Sequence, residues 1–268
     1  MSRDGSLMGI HPTAIVSSEA EISPRATIGP FSIIEGHVEI GADTIVESHA
    51  RIGHRFGRVL IGERNTIQHG AVLGGPPQDM TYSGGDTALE IGSGNRIGEY
   101  VSISQGTAKG GGRTIVGNDT MLMAFVHIGH DCRIGDHVII TNATQLAGHV
   151  VVEEHALLSG LAGVTQFVRL GRYSFLTAGA FANKDIPPFT IAEGHWAKPR
   201  TVNRVALKRA GFTNEARANV ERAVRILLDS SLTIEAVLER IAQECAADEH
   251  VSHLLEFLRS SARGVARR

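Results

Sequence analysis

The sequence predicts a mainly β protein, a parallel β-helix built from hexapeptide turns and followed by an α-helical C-terminal domain. An aliphatic residue recurs at every sixth position in two long runs, a period that fits neither a helix nor a single strand. A small or β-branched residue often stands two positions earlier, and a glycine often follows. Aromatic residues make up only 5% of the 268-residue chain, which suits a narrow interior of stacked Ile, Val and Leu side chains.

The two runs, with shorter pieces between them, define the solenoid, which we expect over residues 10–190. The first run comprises Val16, Ile22, Ile28, Ile34, Ile40, Val46 and Ile52, and the second comprises Val116, Leu122, Ile128, Ile134, Ile140, Leu146, Val152, Leu158, Val164, Leu170 and Leu176. If three hexapeptides make one triangular coil, residues 18 apart stack at the spacing of neighbouring strands, about 4.8 Å. The repeating aliphatic side chain then points inward, and a corner follows two and three positions later.

Two interruptions of the period predict loop insertions, at about residues 74–89 and 106–114. The segments read GGPPQDMTYSGGDTAL and GTAKGGGRT, and both combine many glycines with polar residues, so neither can form a coil. Interruptions of a solenoid map to loops on one face, and such loops commonly carry binding.

The C-terminal region, residues 191–268, is predicted to form an α-helical domain that caps the solenoid. Pro187 and Pro188 end the six-residue period, and a helical pattern takes over from about residue 202. Thr213 and Thr233 are suited to cap two helices at their N-termini, and a last helix is expected at about 248–259.

Composition and charge exclude several classes of function. The formal net charge is −2, so the chain lacks the basic surface that general nucleic-acid binding needs. No apolar stretch approaches the roughly 20 residues that span a bilayer, so we expect no integral membrane segment. The N-terminal segment has no apolar core of signal-peptide length. Because Cys132 and Cys245 are an isolated pair in a large chain, we expect a reduced, cytoplasmic protein.

Arithmetic on the repeat brings a group of polar side chains to one edge of three successive coils. The column of His130 continues through Gly148 and Gln166, and the column of Asp131 continues through His149. The expected set is His127, His130, Asp131, His149 and Gln166. An imidazole beside a carboxylate can be held in one tautomer and made more basic, as a general base requires. The alternative is that these histidines are merely tolerated at corners facing solvent.

Other chemistries fit the sequence less well. Two histidines and an aspartate could ligate a metal, but the set lacks a closed group of ligands, and we expect no metal site. The sequence contains no motif for a nucleophilic serine or a phosphate-binding loop. A base without its own nucleophile suggests that a substrate hydroxyl or amine attacks an activated acyl group directly. A backbone N–H such as that of Gly148 would then stabilise the oxyanion.

At these residues the chain resembles the acyl carrier protein-dependent UDP-N-acetylglucosamine O-acyltransferases, which begin lipid A synthesis. The motifs that carry the resemblance are HPTAIV, GGPPQD, GTAKGGG, HIGHDC, LAGH, IPPFTIAEG and LKRAGF, and they run nearly from end to end. The resemblance implies a left-handed parallel β-helix and a homotrimer with active sites between subunits. It also implies transfer of an (R)-3-hydroxyacyl chain, carried on the phosphopantetheine of acyl carrier protein, to the 3-position of the sugar. No separate cofactor is expected.

The resemblance also assigns roles to individual residues. The catalytic group would be His130 as general base, Asp131 as its orienting partner and Gly148 as oxyanion donor. The substrate-binding group would be Asp79, His127, His149, Gln166 and Arg209. Thr177 and Ala178 stand near the position where the family measures acyl chain length, and we expect them to narrow the acyl groove and favour a shorter chain. Independently, Arg200, Arg204, Lys208 and Arg209 recur at helical spacing, which would suit an acidic carrier protein.

The chain departs from the family pattern at three basic positions. Thr165, Gln105 and Thr81 stand where the family has a His, an Arg and a Lys respectively. Each loss removes a potential charge-assisted hydrogen bond to the substrate. Two alternatives therefore stay open: a related hexapeptide acyltransferase acting on a 3-amino sugar nucleotide or with a shorter acyl donor, and a catalytically silent sugar-nucleotide-binding paralogue.

Overall fold

A computed structural model describes residues 9–267 of the chain. Residues 1–8 and residue 268 lie outside the described range. The prediction that the N-terminal segment is not a signal peptide therefore falls partly on residues that the structure does not describe. The strands of the solenoid are Gly9–Ile10 (β1), Ile15–Val16 (β2), Glu21–Ile22 (β3), Thr27–Ile28 (β4), Ile33–Ile40 (β5), Ile45–Val46 (β6), Arg51–Ile61 (β7), Thr66–Ile67 (β8), Val72–Gly75 (β9), Ala88–Ile91 (β10), Arg96–Ile97 (β11), Ser102–Ser104 (β12), Arg113–Val116 (β13), Met121–Leu122 (β14), His127–Ile128 (β15), Arg133–Ile134 (β16), Ile139–Ile140 (β17), Gln145–Leu146 (β18), Val151–Val152 (β19), Leu157–Leu158 (β20), Gly163–Val164 (β21), Arg169–Leu170 (β22), Phe175–Leu176 (β23) and Phe181–Ala182 (β24).

Parallel sheets form the three faces of a prism, and neighbouring strands within a face come from successive coils. One face has the order β1-β4-β6-β8-β11-β14-β17-β20-β23. The long strands β5 and β7 run around one corner and join the other two faces into a single hydrogen-bonded sheet. In the uninterrupted part, Ile128 pairs with Leu146, which pairs with Val164, so residues 18 apart stack as predicted.

The interior of the prism is the column of aliphatic side chains that the period predicts. Val126 and Ile128 are 0% exposed, whereas His127 between them faces outward and is half-buried. The same alternation continues through the second run, and the buried residues form one continuous cluster along the solenoid. Each coil therefore buries its aliphatic residues only by stacking on its neighbours.

Each coil turns its corner through a residue in the left-handed backbone region. At one edge these residues are Asp131, His149 and Phe167, with φ of 61°, 63° and 64°. Side chains with a Cβ disfavour this region, but the stacked coils offset the cost, because the His149 N–H donates to the His130 carbonyl of the preceding coil at 2.9 Å. The repeat thus fixes the backbone along this edge.

The loop insertions lie at the same edge, N-terminal to these three corners. In the structure they occupy residues 76–87, between β9 and β10, and residues 105–112, between β12 and β13, with a 3-10 turn at Ala108–Gly110. A third interruption, which the sequence analysis did not single out, lies within β7 near residues 53–58. The pairing Leu73–Ile103–Ile128 aligns both predicted loops with the edge that carries His130.

The C-terminal region begins with a β-hairpin rather than a helix. Strands Thr190–Glu193 (β25) and Lys198–Val202 (β26) pair in antiparallel fashion, and β25 continues the face that ends with β23. The helices that follow are Arg204–Arg209 (α1), Asn214–Leu227 (α2), Ile234–Glu244 (α3) and Glu249–Arg259 (α4). The predicted N-caps Thr213 and Thr233 are confirmed, since each side chain accepts a hydrogen bond from a backbone N–H in the first turn. Among the described residues, no helix is long and apolar enough to cross a membrane.

Arginine and glutamate side chains fasten the last coils to the helices. The Arg169 guanidinium lies 3.9 Å from the centre of the Phe257 ring and donates to the Phe257 carbonyl at 2.9 Å. Arg169 also donates to Ser260 Oγ at 3.1 Å. On the same side, Glu153 of the solenoid lies 2.8 Å from Nε2 of His253 in α4. The C-terminal end of the prism is therefore closed by specific polar contacts as well as by packing.

We expect Arg169→Ala to lower the free energy of unfolding by about 2 kcal/mol, because it removes charge-assisted hydrogen bonds and a cation–π contact at a half-buried junction. Urea denaturation followed by circular dichroism measures the change. The exposed Arg263→Ala serves as the matched control and should leave the midpoint unchanged. Equal midpoints for Arg169→Ala and wild type would show that apolar packing alone holds the cap.

Candidate active site

Two imidazoles flank one buried carboxylate at the edge where the loops lie. His130 Nδ1 lies 2.7 Å from Asp131 Oδ2, and His149 Nε2 lies 3.7 Å from the same oxygen. The two rings are 5.1 Å apart and nearly perpendicular. The Asp131 side chain is 0% exposed, whereas the His130 side chain is 16% exposed and can be reached from outside. The structure thus brings together the imidazole and the carboxylate that the repeat arithmetic predicted.

The second loop holds the Asp131 carboxylate in one orientation. The Thr107 N–H donates to Oδ1 at 2.8 Å, and the Thr107 hydroxyl donates to Oδ2 at 2.7 Å. The Asp131 N–H in turn donates to Thr114 Oγ1 at 2.8 Å. Gly110 packs directly against the carboxylate, since a Cβ at this position would lie 2.1 Å from the Asp131 Cγ. Thr107 and Gly110 were not predicted as site residues, although both belong to the GTAKGGG motif.

The pairing with Asp131 decides which nitrogen of His130 can act as a base. An ionised carboxylate only accepts hydrogen bonds, so Nδ1 of His130 carries the proton that lies between them. The lone pair of the neutral ring is then on Nε2, which is free to accept a proton from a substrate. Asp131 also stabilises the imidazolium that forms on proton transfer.

Gly148 lies directly beneath His130. A Cβ on Gly148 would be 2.7 Å from Cε1 and 2.8 Å from Nε2 of the His130 ring, so only glycine leaves room for the imidazole. Among the described residues, no backbone or side-chain acceptor takes the Gly148 N–H. Because Gly148 packs against the ring that carries the basic nitrogen, its unpaired N–H is suited to receive an oxyanion.

His127 faces outward on the flat face beside this corner. Its Nδ1 lies 2.8 Å from Ser102 Oγ of the preceding coil, and its backbone pairs with Gln145 of the next. Burial lowers the pKa of His127 below its usual value, and the nearby His130 lowers it further. His127 is therefore a neutral hydrogen-bonding group at physiological pH.

The lowered pKa of His127 makes stability depend on pH. The unfolded chain takes up a proton at His127 more readily than the folded protein, so stability rises with pH through the region below about 6.5. We expect acidification from about pH 7 to about pH 5.5 to destabilise wild type more than His127→Gln. Urea denaturation across this pH range gives the comparison, and parallel pH curves for the two proteins would contradict it.

Gln166 and Phe167 extend the edge by one more coil. Gln166 is exposed at the corner next to Gly148, whose carbonyl accepts the Phe167 N–H at 3.3 Å. The Phe167 ring stacks on His149, with centres 4.4 Å apart and planes within 10°. Phe167 thus orients His149, a role that the sequence analysis did not foresee.

The first loop brings Asp79 to the same edge. Its Oδ1 accepts the Thr81 N–H at 2.8 Å and the Thr81 hydroxyl at 2.7 Å. These two hydrogen bonds lower the pKa of Asp79, and the nearby charges of Lys109 and His130 lower it further. Lys109 of the second loop donates to Thr81 Oγ1 at 2.7 Å. The two loops are therefore joined beside the histidine cluster.

The positions that depart from the family pattern have different surroundings. Gln105 is 0% exposed and accepts from Thr87 Oγ1 at 3.2 Å, so its side chain belongs to the interior of the loop. Thr165 is half-buried and donates to the Ala182 carbonyl at 3.3 Å. Only Thr81 is exposed, and its hydroxyl contacts both Asp79 and Lys109.

Three predicted site residues lie away from this edge within the chain. Arg209, at the end of α1, lines a groove of about 490 Å³ with His155 and Tyr173, which belong to another corner. Thr177 and Ala178 follow Leu176 at the third corner. The predicted basic stripe is also wrong in part, because Arg200 lies in β26 and Arg204 pairs with Glu221 at 2.9 Å.

The donor set of His130, Asp131 and His149 is compact enough to be considered as a metal site, with one ligand atom of each within 4.8 Å of the others. However, His130 Nδ1 and Asp131 Oδ2 are only 2.7 Å apart and already bond to each other. The Thr107 hydroxyl occupies the same Asp131 oxygen. A metal held by these atoms would have to break both hydrogen bonds, so the arrangement fits a proton-transfer pair better.

Comparison with known protein families gives matches to both parts of the chain. Residues 185–266 match the family model described as UDP N-acetylglucosamine O-acyltransferase, domain 2. Residues 19–54 and 113–148 match the model of the bacterial transferase hexapeptide, six repeats.

Two relatives with known names match over nearly the whole chain. The acyl-(acyl-carrier-protein)–UDP-N-acetylglucosamine O-acyltransferase of Xylella fastidiosa is 41% identical over 268 residues and covers 100% of both chains. The protein of the same name from Paraburkholderia phymatum is 44% identical and covers 96% of this chain and 99% of its own length.

Among solved structures, the UDP-N-acetylglucosamine acyltransferase of Francisella novicida superimposes with a TM-score of 0.93 at 36% identity. The match covers 97% of this chain and 94% of that structure. The expected fold class, a left-handed parallel β-helix with C-terminal helices, is thereby confirmed.

Proposed function

The chain belongs to the family of acyl-(acyl-carrier-protein)–UDP-N-acetylglucosamine O-acyltransferases, and from this we infer a reaction in which His130 acts as general base. The protein is an acyltransferase, and its family makes acyl carrier protein the donor and UDP-N-acetylglucosamine the acceptor. This reaction fits the first step of lipid A synthesis. The observation that carries the mechanism is the His130–Asp131 pair at 2.7 Å, whose free Nε2 lies beside Gly148.

In the proposed mechanism, His130 Nε2 removes the proton of the sugar 3-hydroxyl as its oxygen attacks the thioester carbonyl. The new C–O bond leaves negative charge on the former carbonyl oxygen, which the Gly148 N–H receives. Asp131 stabilises the imidazolium in this step. When the intermediate collapses, the C–S bond breaks and the proton on Nε2 passes to the leaving thiolate. No other cofactor enters this scheme, since the donor's phosphopantetheine carries the acyl chain.

The surrounding polar groups are suited to hold the acceptor. His127 and His149 flank His130, and Gln166 is exposed one coil further on. Asp79 faces the same edge from the first loop, with its carboxylate fixed by Thr81. His130 can accept the proton only if the 3-hydroxyl is held close to Nε2, so other groups must position the sugar. We assign this substrate-binding role to His127, His149, Gln166 and Asp79.

A homotrimer would complete the site. Arg209 lies at a different corner from His130, so a nucleotide or carrier that contacts both would have to bridge two subunits. Exposed apolar side chains also form a row along the corner that carries Ala178. In this row Tyr100, Phe125 and Leu161 are 49%, 58% and 68% exposed. Burying such a row favours association. Light scattering should give about three times the chain mass of 28.6 kDa.

The proposed acyl groove would lie along the corner that carries Thr177 and Ala178. Thr177 and Ala178 follow the last aliphatic residue of β23, at the C-terminal end of the solenoid. If the acyl chain runs from His130 towards this corner, their side chains shorten the path compared with glycine. We also place the protein in the cytoplasm, and the free, buried thiols of Cys132 and Cys245 support a reducing compartment.

One assay tests this function against its alternatives. Purified protein is incubated with UDP-N-acetylglucosamine or its 3-amino analogue, and with a series of (R)-3-hydroxyacyl carrier thioesters of increasing length. We expect O-acylation of UDP-N-acetylglucosamine, with best turnover below the longest chain. Preference for the amino sugar would favour an N-acyltransferase, and best turnover with the longest chain would refute the narrowed groove. Nucleotide-dependent stabilisation without turnover of any pair would indicate a silent binder.

A further inference from the structure

The turn that carries Lys109 is built onto the carboxylate of the proposed catalytic pair. Thr107 Oγ1 accepts the Gly110 N–H at 3.0 Å and donates to Asp131 Oδ2 at 2.7 Å. The 3-10 turn Ala108–Gly110 is therefore fixed at both ends, by this cap and by the contact of Gly110 with Asp131. Lys109 leaves the middle of this turn, so its backbone position is set relative to the reacting groups.

The ammonium group of Lys109 is directed across to the first loop. Its Nζ donates to Thr81 Oγ1 at 2.7 Å, and Thr81 is itself bonded to Asp79. The contact orients the long side chain along the edge of the prism instead of leaving it free in solvent. The family resemblance leads us to expect a lysine at position 81, where this chain has Thr81. In this chain the ammonium group of Lys109 reaches the same position from the second loop.

Lys109 has no direct counter-ion. Among residues 9–267, no carboxylate oxygen lies within 4 Å of its Nζ, and its one hydrogen-bond partner is a neutral hydroxyl. The side chain is exposed. An ammonium held in place by a neutral partner keeps donor capacity for an anionic group, since it has three N–H bonds and uses one here.

The surroundings favour a small anion over an acidic protein surface. Residues 74–89 of the first loop contain no Lys or Arg, so this loop lacks the extended cationic patch that an acidic protein surface would need. A single oriented ammonium instead suits one or two phosphate oxygens. The acceptor of the proposed reaction carries such a group in its diphosphate.

We propose that Lys109 binds the diphosphate of the sugar nucleotide and supplies the positive charge that Thr81 does not. This inference rests on the proposed function, because the diphosphate belongs to the acceptor. Lys109 is a binding residue and takes no part in proton transfer. Its contribution is to the affinity of the acceptor and leaves the base–carboxylate pair unaltered.

Lys109→Met tests the inference in the full-length protein, with Lys198→Met as matched control, since Lys198 is an exposed lysine of the β26 strand. Calorimetric titration with UDP-N-acetylglucosamine, without donor, should show Kd raised about 10- to 100-fold in Lys109→Met and unchanged in Lys198→Met. In steady-state assays KM for the acceptor should rise by a similar factor, with kcat within about threefold of wild type and KM for the acyl donor unchanged. Adding Thr81→Lys to Lys109→Met should restore most of the lost affinity.

An unchanged Kd for Lys109→Met, a rise in KM for the acyl donor instead of the acceptor, or no recovery in the double variant would overturn the assignment of Lys109. These outcomes leave the proposed function intact, because wild type would still bind and acylate UDP-N-acetylglucosamine. Failure of wild type to acylate it would instead refute the function, whereas the titration would still report whether Lys109 binds the nucleotide. Thermal unfolding of each variant shows that the exposed substitution leaves the fold in place.

Discussion

His130→Ala lowers kcat by about 10²–10⁴, the usual contribution of general acid–base catalysis. The substitution removes the only imidazole that is both hydrogen-bonded to Asp131 through Nδ1 and packed against Gly148 among the described residues. His149 does not replace it, because its Nε2, not its Nδ1, faces Asp131, at 3.7 Å. Because the His130 side chain lies at a corner outside the aliphatic interior, the thermal unfolding midpoint should stay close to that of wild type.

Single-turnover and steady-state assays with acyl carrier thioester and UDP-N-acetylglucosamine measure this loss. His37→Ala is a matched control, since His37 is an exposed histidine with a carboxylate, Glu19, at 3.6 Å, but lies outside the cluster. It should retain wild-type kcat. Wild-type activity in His130→Ala would remove His130 from the mechanism and return the histidines to the status of tolerated corner residues.

Asp131→Asn lowers kcat by about 10²–10⁴ as well, although the substitution changes the size of the side chain very little. In the native protein Oδ1 accepts from the Thr107 N–H, and Oδ2 accepts from the Thr107 hydroxyl and from His130. An amide has one acceptor oxygen only. If its NH₂ takes the place of Oδ2, His130 must accept at Nδ1 and carry its proton on Nε2, so it cannot act as a base. If the NH₂ takes the place of Oδ1, it faces the Thr107 N–H. Two donors then meet, and neither has an acceptor.

The experiment compares the pH–rate profiles of wild type and Asp131→Asn at saturating acceptor. An imidazole held in the wrong tautomer changes the shape of the profile as well as lowering the plateau, whereas a purely structural defect lowers the plateau alone. Asp119→Asn is the control, because Asp119 is an exposed aspartate in the same left-handed corner conformation on a different edge. A profile for Asp131→Asn that matches wild type would show that Asp131 does not orient the base.

The sequence was sufficient to predict the solenoid and the histidine cluster because the second run is unbroken. Over Val116–Leu176 the period fixes every residue's coil, face and corner, so the columns of His130 and Asp131 could be counted. The stacking of Ile128, Leu146 and Val164 shows why the counting works: each residue pairs with the one 18 positions later. Hydrogen bonding between coils leaves no freedom of register in this part.

The loops could not be predicted in the same way, since they do not repeat. The six-residue spacing does not predict that Thr107 contacts Asp131 or that Lys109 contacts Thr81. Both contacts are made by residues of the loop insertions, to which the period does not apply. The interruption inside β7 was missed for the same reason. The β25–β26 hairpin was also missed, because residues 191–202 show no six-residue period, and pairing with β23 determines their conformation.

The two ends of the prism are protected to different degrees. Helices and the Arg169 contacts cover the last coils, whereas Ile10, which stacks on the fully buried Ile28, is 50% exposed in the first strand. Among residues 9–267, no strand pairs with the outer side of β1. Since each coil is supported only by its neighbours, we expect opening to begin at this end of the described solenoid and to advance coil by coil. Amide protons should therefore exchange with solvent earliest near β1 and progressively later towards His130. Local unfolding would then be confined to coils that lie far from the reacting groups.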